Sequence, residues 1–278
     1  MAQVAHHFTV DVEEYFNFLG YERSVARSTW DSLESRVEGS VDELLAGLSD
    51  VGSTGTFFTL GWIAERHPEM MRRIAREGHE VASHGYSHRR VAELTPNEFR
   101  DEVRTTKALL EDLVGSRVTG YRAPHFSIIA GCEWALDILI EEGYQYDSSL
   151  FPIRRPGYGY AEGDRDPYYL DRPSGRLREI PPATLRVAGL NLPAAGGAYF
   201  RIFPYALVRR ALRDCERRSK PGTFYIHPWE IDAGQPLLPV SRSWRLRHYT
   251  GLTRTPERLR RLLGEFRFRT IADTLRAA

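Results

Sequence analysis

Short apolar runs alternate with longer segments of helical periodicity along most of the chain. Runs rich in β-branched and aromatic residues predict strands at residues 8–12, 55–60, 79–83, 118–121, 145–147 and 223–226. Apolar positions at helical spacing predict helices at residues 40–48, 68–77, 95–114, 132–142 and 205–218. This βαβ alternation indicates a mostly parallel sheet with helices outside it. About five or six such units in one chain favour a barrel over an open sheet.

Local signals set several boundaries. Thr95 precedes a proline and has Glu98 three residues later, which is a strong helix start. Ser40, with Glu43 three residues later, predicts another helix start in the same way. Residues 150–176 break the alternation and are rich in turn residues and tyrosines, so we expect a long ordered loop there. Beyond that loop we expect a β-pair at 177–187, a helix at 256–263 and a last strand at 266–271.

Composition and charge narrow the class of protein. The 278 residues are 42% hydrophobic and 27% charged, which is typical of a globular protein. Lys+Arg 38 against Asp+Glu 37 gives a net charge of +1, which argues against a nucleic-acid partner. No apolar run is long enough for stable membrane insertion, and Cys132 and Cys215 are too few for a disulfide scaffold. The first residues lack the basic and apolar regions of a signal peptide, which predicts a cytoplasmic protein.

Two pairs of polar residues carry the first candidate chemistry. His84 and His88 follow a predicted strand and can face one point if the segment between them turns. Asp11 and Glu13 end the first strand, so both carboxylates face the same side, at the end where barrel enzymes place their chemistry. Two imidazoles and one carboxylate make an open three-ligand site for Zn²⁺ or a similar ion. Taken singly, each pair also fits a solvated loop or strand end, and only their combination favours a metal.

Two further motifs follow predicted strands. Arg122 stands two residues before Pro124, whose fixed φ can hold the arginine rigidly. An arginine beside a carboxylate keeps that carboxylate ionised. His227 ends the strand at 223–226, a position suited to a general acid because the pKa of histidine lies near working pH. The alternatives are a surface arginine and a hydrogen-bonded structural histidine.

Together these motifs resemble the polysaccharide deacetylase superfamily, the NodB-homology domain of carbohydrate esterase family 4. That family has an Asp-containing motif after its first strand, then H-x-x-x-H, then R-x-P, then a late strand ending in the acid histidine, and all four occur here in that order. A closer likeness is to the subgroup found beside exosortase and exopolysaccharide genes. It is carried by TVDVEEYF (9–16), GHEVASHGYSH (78–88), YRAP (121–124), YDSSLFP (146–152) and FYIHPWE (224–230).

The resemblance implies an α/β fold, a distorted (β/α) barrel of about seven parallel strands, with a long inserted loop and a C-terminal extension. We expect residues 1–278 to form a single deacetylase domain. Its core is predicted at about 6–230 and the extension, with a helix and a strand, at about 231–278.

The resemblance also implies a role for each motif. The commoner first motif has adjacent aspartates, the first as base and the second as metal ligand, but Val12 takes the second place here. We therefore assign the base to Asp11 and the carboxylate ligand to Glu13, with Glu14 or Asp11 as alternative ligands. The other assignments are His84 and His88 as ligands, His227 as acid, Arg122 as the residue that holds the base, and Asp147 as the carboxylate that orients the acid. Tyr121, Phe126 and Trp229 are assigned as sugar contacts, with a core position as an equal alternative for Trp229.

These roles imply a metal-dependent hydrolase that removes N-acetyl groups from an amino-sugar polysaccharide or its precursor in bacterial exopolysaccharide biosynthesis. Zinc is the expected metal, with cobalt, nickel and manganese as alternatives. A cyclic amide or imide hydrolase of the same superfamily and an inactive carbohydrate-binding barrel are the rival predictions. A cytoplasmic enzyme would meet a lipid-linked or nucleotide-linked precursor. The Arg-rich stretch 242–261 could touch an anionic membrane at the site of assembly, although a solvated helix face is favoured.

Overall fold

Parallel strands form the centre of this computed structural model, which describes residues 4–18, 21, 24–155 and 157–276. The strands are β1 (His6–Val12), β2 (Thr56–Thr59), β3 (Glu80–Ser83), β4 (Gly120–Tyr121), β5 (Tyr146–Asp147), β6 (Tyr168–Arg172), β7 (Gly175–Glu179), β8 (Thr184–Val187), β9 (Leu190–Pro193), β10 (Thr223–Ile226) and β11 (Phe268–Arg269). The helices are α1 (Val37–Asp50), α2 (Gly61–Arg66), α3 (Pro68–Arg76), α4 (Pro96–Val114), α5 (Trp134–Glu141), α6 (Gly197–Ile202), α7 (Tyr205–Arg217), α8 (Arg242–Tyr249), α9 (Thr255–Glu265) and α10 (Ile271–Arg276). Among the described residues, no helix is both long and apolar enough to cross a membrane.

Within the described residues, the sheet closes into a distorted barrel of seven parallel strands, as predicted. The order is β10–β1–β2–β3–β4–β5–β7, and each neighbouring pair is parallel. The chain leaving β7 closes the ring, because Pro182 forms a parallel bridge to Thr223 and the N–H of Ala183 donates to the Thr223 carbonyl at 2.9 Å. β6 lies outside the ring and is antiparallel to β7.

Alternation along β1 separates the apolar core from the barrel interior. Phe8, Val10 and Val12 belong to the core that packs against the helices. Thr9 and Asp11 point to the other face, where both accept hydrogen bonds from one arginine. Because side chains alternate between the faces of a strand, the polar set of β1 enters the barrel, where the candidate site is built.

The C-terminal residues complete the end of the barrel where β1 begins. β11 pairs with β1 at His6 and His7. α10 starts directly beneath the strands, and the N–H of Ala272 donates to Oε2 of Glu80 at 3.0 Å. The predicted C-terminal extension therefore contributes a strand to the sheet and a helix, α10, that covers this end of the barrel.

The prediction of one β-pair at 177–187 is wrong. β7 pairs with β6, and β8 pairs with β9, so there are two hairpins, at 168–179 and 184–193. The predicted loop at 150–176 accordingly contains β6. This strand lies at the edge of the sheet with half-exposed side chains, so its hydrophobic signal is weak.

α1 begins three residues before the predicted N-cap, Ser40, because a distant carboxylate caps it. Glu14 accepts hydrogen bonds from the backbone N–H groups of Arg36 and Val37 at 3.1 and 3.3 Å. It also accepts one from the Ser35 hydroxyl at 2.5 Å. A carboxylate at a helix N-terminus satisfies N–H groups that have no partner within the helix. Glu14 is therefore committed to the fold, which removes it as an alternative metal ligand.

His7 is buried at the base of the barrel and is held neutral. Its Nδ1 lies 2.9 Å from the hydroxyl of Thr223 and its Nε2 lies 2.8 Å from the hydroxyl of Thr274. Burial, with smaller contributions from nearby cations, lowers the pKa of His7 to about 3. Below about pH 6.5 the unfolded chain binds a proton that the folded protein excludes down to about pH 3, so stability falls through that window.

We expect the variant His7→Gln to lose less stability on acidification than the wild type, although its stability at neutral pH is lower. Each unit of pKa difference is worth about 1.4 kcal/mol. Urea unfolding at about pH 7.5, 6 and 5 with a chelator present measures the slope of stability against pH. Asn97→Gln, an exposed substitution that changes no titratable group, is the control and should keep the wild-type slope. An unchanged slope in His7→Gln would contradict the prediction.

Candidate active site

Three side chains of metal-ligand type meet where β1 and β3 end. Oε1 of Glu13 lies 3.0 Å from Nε2 of His84 and 2.8 Å from Nε2 of His88. All three residues are buried. Their ligand atoms lie within 4.8 Å of one another, and no other such group of His, Cys, Asp or Glu occurs in the part of the chain that the structure describes. The structure thus brings together the three predicted ligands.

His84 and His88 meet without a helical turn between them. Gly85 and His88 both have left-handed backbone, with φ of 74° and 56°, and this folds the segment after β3 back on itself. For a residue other than glycine this conformation costs about 1–3 kcal/mol, and such strain persists only where the surroundings hold it. Arg27 supplies part of that support, because its Nε donates to the carbonyl of Ser87 at 2.8 Å.

The donor chemistry fits a divalent cation. Nδ1–H of His84 donates to the carbonyl of Arg122 at 2.8 Å, which leaves Nε2 as the lone-pair donor facing Glu13. Burial raises the pKa of Glu13, but the neighbouring His88 and His227 outweigh it and hold that pKa well below its usual range. Burial also lowers the pKa of His88 to about 4. A carboxylate and two imidazoles are the ligand set of a catalytic zinc site.

Asp11 lies beside this cluster and is held by a fully buried arginine. Nη1 of Arg122 donates to Oδ1 of Asp11 at 2.6 Å and to the hydroxyl of Thr9 at 2.8 Å. Nε and Nη2 of Arg122 donate to the carbonyl and the hydroxyl of Ser148 at 3.2 and 2.8 Å. With its guanidinium held on every side, Arg122 fixes Asp11 so that Oδ2 faces Nε2 of His227 at 3.9 Å.

His227 ends β10 and completes the group. Its Nε2 lies 3.9 Å from Oδ2 of Asp11 and 4.0 Å from Oε2 of Glu13. Its Nδ1–H donates to Oε2 of Glu230 at 2.9 Å, and the other oxygen of Glu230 accepts from Nε of Arg201 at 2.6 Å. Burial lowers the pKa of His227, but the charges of Glu13 and Glu230 outweigh it and raise that pKa to about 9. The ring therefore carries a proton at neutral pH.

The carboxylate that orients His227 is not the predicted Asp147. Asp147 accepts hydrogen bonds from the hydroxyl and the N–H of Ser149 at 2.6 and 3.1 Å, away from the histidine. Burial raises the pKa of both Asp147 and its neighbour Glu179. Glu230 takes the predicted role, because the 3₁₀ turn that begins with proline after His227 returns the residue three positions later to the imidazole. The sequence signal, His-Pro-x-Glu, is local and could have been found.

Arg201 supports the site from α6 and was missed because no local pattern marks it. It stands 29 residues before Glu230 and is buried. Besides that carboxylate, it donates to the carbonyls of Arg247, His248 and Thr250 at 3.2, 2.8 and 2.6 Å. Arg201 thus ties the carboxylate that orients the acid histidine to the C-terminal end of α8.

The predicted sugar contacts are buried. Trp229 is stacked between His227 and His248, with ring centroids 5.1 and 4.4 Å away. It supports the acid histidine from behind, which corrects its assignment as a sugar contact. Tyr121 is also reassigned, because it lies in the core between helices and sheet. Phe126 is buried in a separate aromatic cluster, and its contact with sugar stays a prediction.

Comparison with known proteins shows which families and relatives the chain is similar to. Residues 21–137 match a family model described as polysaccharide deacetylase, and residues 148–276 match one described as a domain of unknown function (DUF3473). A peptidoglycan deacetylase of Helicobacter pylori is 34% identical over 117 residues, which cover 41% of this chain and 35% of that protein. The chain spans about a third of the length of the curated relatives it matches.

Solved structures share the fold. A protein of Mycobacterium smegmatis described as a candidate polysaccharide deacetylase superposes with a TM-score of 0.68 at 22% identity, covering 100% of this chain and 91% of that one. The allantoinase PuuE superposes with a TM-score of 0.63 at 18% identity, covering 98% of this chain and 89% of that one. The solved structures show that the chain as a whole has the fold of these neighbours. From the family-model match and the deacetylase relatives, we conclude that residues 21–137 belong to the polysaccharide deacetylase family.

Proposed function

We propose that this protein is a metal-dependent hydrolase that removes N-acetyl groups from an amino-sugar glycan. One observation carries the proposal. Asp11, held by Arg122, and His227, held by Glu230, face each other at 3.9 Å beside the cluster of ligand-type residues. A carboxylate that can accept a proton and an imidazolium that can give one are the two groups that amide hydrolysis requires.

Glu13, His84 and His88 would hold the ion, for which zinc is the first candidate. When bound, such an ion polarises a carbonyl and lowers the pKa of water. The work of the chain itself is proton transfer. Asp11, with Oδ1 engaged by Arg122, has Oδ2 available to take a proton from the attacking water. His227 gives the proton on Nε2 to the amide nitrogen as the C–N bond breaks, so the products are acetate and a free amine.

We further propose that the substrate is an N-acetylated polysaccharide or its precursor in bacterial exopolysaccharide biosynthesis, met in the cytoplasm or at the membrane where the polymer is assembled. The resemblance to the exopolysaccharide-locus subgroup supports this context. The name of the relative from Helicobacter pylori supports the class of substrate, since it describes a peptidoglycan deacetylase.

Acetate release from N-acetylglucosamine oligomers tests the proposal. Metal-stripped protein should be inactive and should recover on addition of Zn²⁺ or Co²⁺. Asp11→Asn should bind metal but release acetate at least about 100-fold more slowly, because the base is lost while the ligands remain. Metal binding without acetate release from any N-acetyl sugar would overturn the proposal, and turnover of a cyclic amide in its place would favour the rival hydrolase.

The variant Glu230→Gln should shift the alkaline limb of the pH profile. The charge of Glu230 helps to raise the pKa of His227, so its removal lowers that pKa. The acid must be protonated to act, so kcat/KM should begin to fall at lower pH than in the wild type. Glu257→Gln, at an exposed position of α9, is the control. An alkaline limb that does not move would contradict the role of Glu230.

A further inference from the structure

A cavity of about 890 Å³ lies at the end of the barrel where β1 and β10 begin, opposite the metal cluster. It arises from the way the ring closes. The chain from β7 reaches β10 only at Pro182, after β7 has ended, and this leaves the wall open below that bridge. α9, β11 and α10 line the other side of the opening. A cavity of this volume can hold a small organic ligand.

The lining of this cavity is strongly cationic. Four of its residues are Arg178, Lys220, Arg267 and Arg269, and none of them forms an ion pair within the described ranges. Two acidic residues also line it, but both are engaged. Glu265 binds Arg209, and Asp273 lies 3.5 Å from Arg276. In a chain with a net charge of only +1, this is a local excess of positive charge that an anion would neutralise.

Arg178, which lines this cavity, has a hydrogen-bond donor without a partner in the described part of the chain. Its Nε is buried and has no acceptor among the residues that the structure describes. Its guanidinium lies 4.5 Å from the ring centroid of Tyr169, which holds it in place. A buried N–H without a partner costs free energy, and a guanidinium matches the oxygens of a phosphate particularly well. The nearby His7 does not compete, because both its ring nitrogens are engaged by hydroxyls.

Apolar side chains form the remainder of the wall. The lining residues that expose apolar surface include Val51, Pro167 and Leu275. A free inorganic ion would leave this surface uncovered. An anionic group attached to an apolar or aromatic body would cover it and gain the free energy of burying both surfaces.

We propose that this cavity binds an organic phosphate. Arg178 and Lys220 hold a phosphate or diphosphate group, and the organic part of the ligand lies against Val51 and Leu275. A nucleoside diphosphate and an isoprenoid diphosphate share this chemistry. The inference concerns a separate site and does not depend on the proposed deacetylation.

Isothermal titration calorimetry on the full chain tests the proposal with three probes: inorganic pyrophosphate, uridine diphosphate and farnesyl diphosphate. We expect one of the two organic diphosphates to bind at least about tenfold more tightly than pyrophosphate. Preference for uridine diphosphate would identify a nucleotide-linked ligand, and preference for farnesyl diphosphate a lipid-linked one. No binding of any probe, or equal binding of all three, would overturn the proposal.

Variants locate the binding. Arg178→Gln combined with Lys220→Gln should weaken binding of the preferred probe at least about tenfold. Arg117→Gln replaces an exposed arginine outside the cavity. It is the matched control and should not change the affinity for the preferred probe. Gly264→Trp keeps every charge but narrows the cavity, since a Cβ at Gly264 meets no atom within 4 Å. If Arg117→Gln weakened binding of the preferred probe as much as the double variant, this cavity would be excluded as the binding site. Wild-type affinity in both Gly264→Trp and the double variant would exclude it as well. Near-ultraviolet circular dichroism verifies that each variant is folded.

Discussion

Replacing His84 by alanine should abolish metal binding and lower kcat/KM for deacetylation by roughly a thousandfold, or about 4 kcal/mol of transition-state stabilisation. The reason is that the cluster has only three ligand residues. Its three ligand atoms lie within 4.8 Å of one another, and loss of one leaves a carboxylate and a single imidazole. Two protein ligands are too few for a catalytic zinc site. The orienting bond from His84 to the carbonyl of Arg122 is lost as well.

Metal content after dialysis and the rate of acetate release measure the two effects separately. His67→Ala, a histidine between α2 and α3 outside the cluster, should keep both metal and activity. Stoichiometric zinc and wild-type turnover in His84→Ala would refute the assignment of the ligands. Zinc retained with activity lost would instead point to His84 acting on substrate.

Replacing Arg201 by methionine should lower the free energy of unfolding by about 3–5 kcal/mol. Arg201 is buried, and its partner Glu230 is buried as well. Removal of the guanidinium leaves a buried carboxylate with only His227 as counterion, and it leaves the carbonyls of His248 and Thr250 without this donor. Removing one partner from a buried, hydrogen-bonded ion pair is among the costliest substitutions.

Urea unfolding measures this effect, and two further variants isolate its cause. Arg72→Met removes an exposed ion pair with Glu69 and should leave stability unchanged within error. In Arg201→Met with Glu230→Gln, the carboxylate that lost its arginine is replaced by a neutral amide, so part of the lost stability should return. Full stability of Arg201→Met alone would show that the buried pair contributes little.

Sequence reasoning succeeds where the deciding interactions are local. Asp11 and Glu13 were predicted to share a side because strand periodicity is two. Thr95 was predicted to start α4 from its capping box, and its hydroxyl accepts from the N–H of Glu98 at 3.3 Å. The βαβ alternation predicted the parallel barrel, because each crossover returns the chain to the same edge of the sheet.

Sequence reasoning fails where a distant residue supplies the partner. α1 starts early because Glu14, more than twenty residues upstream, caps it. Trp229 was predicted as a sugar contact or a core residue, and only the position of α8 places His248 against its ring. The assignment of Asp147 where the structure has Glu230 is an intermediate case. The 3₁₀ turn is local, yet the burial that makes its carboxylate effective comes from Arg201 on another helix.

By itself, then, the sequence determined the fold class, the likeness to the deacetylase family and the ligand-type residues, since all three depend on periodicity and short motifs. The tertiary structure alone decided which carboxylate meets His227, which arginine neutralises it and where the barrel wall stays open. Those outcomes depend on contacts between segments far apart in the chain. Burial gives such contacts their energetic weight, because a charge removed from water must find its partner in whatever element packs against it.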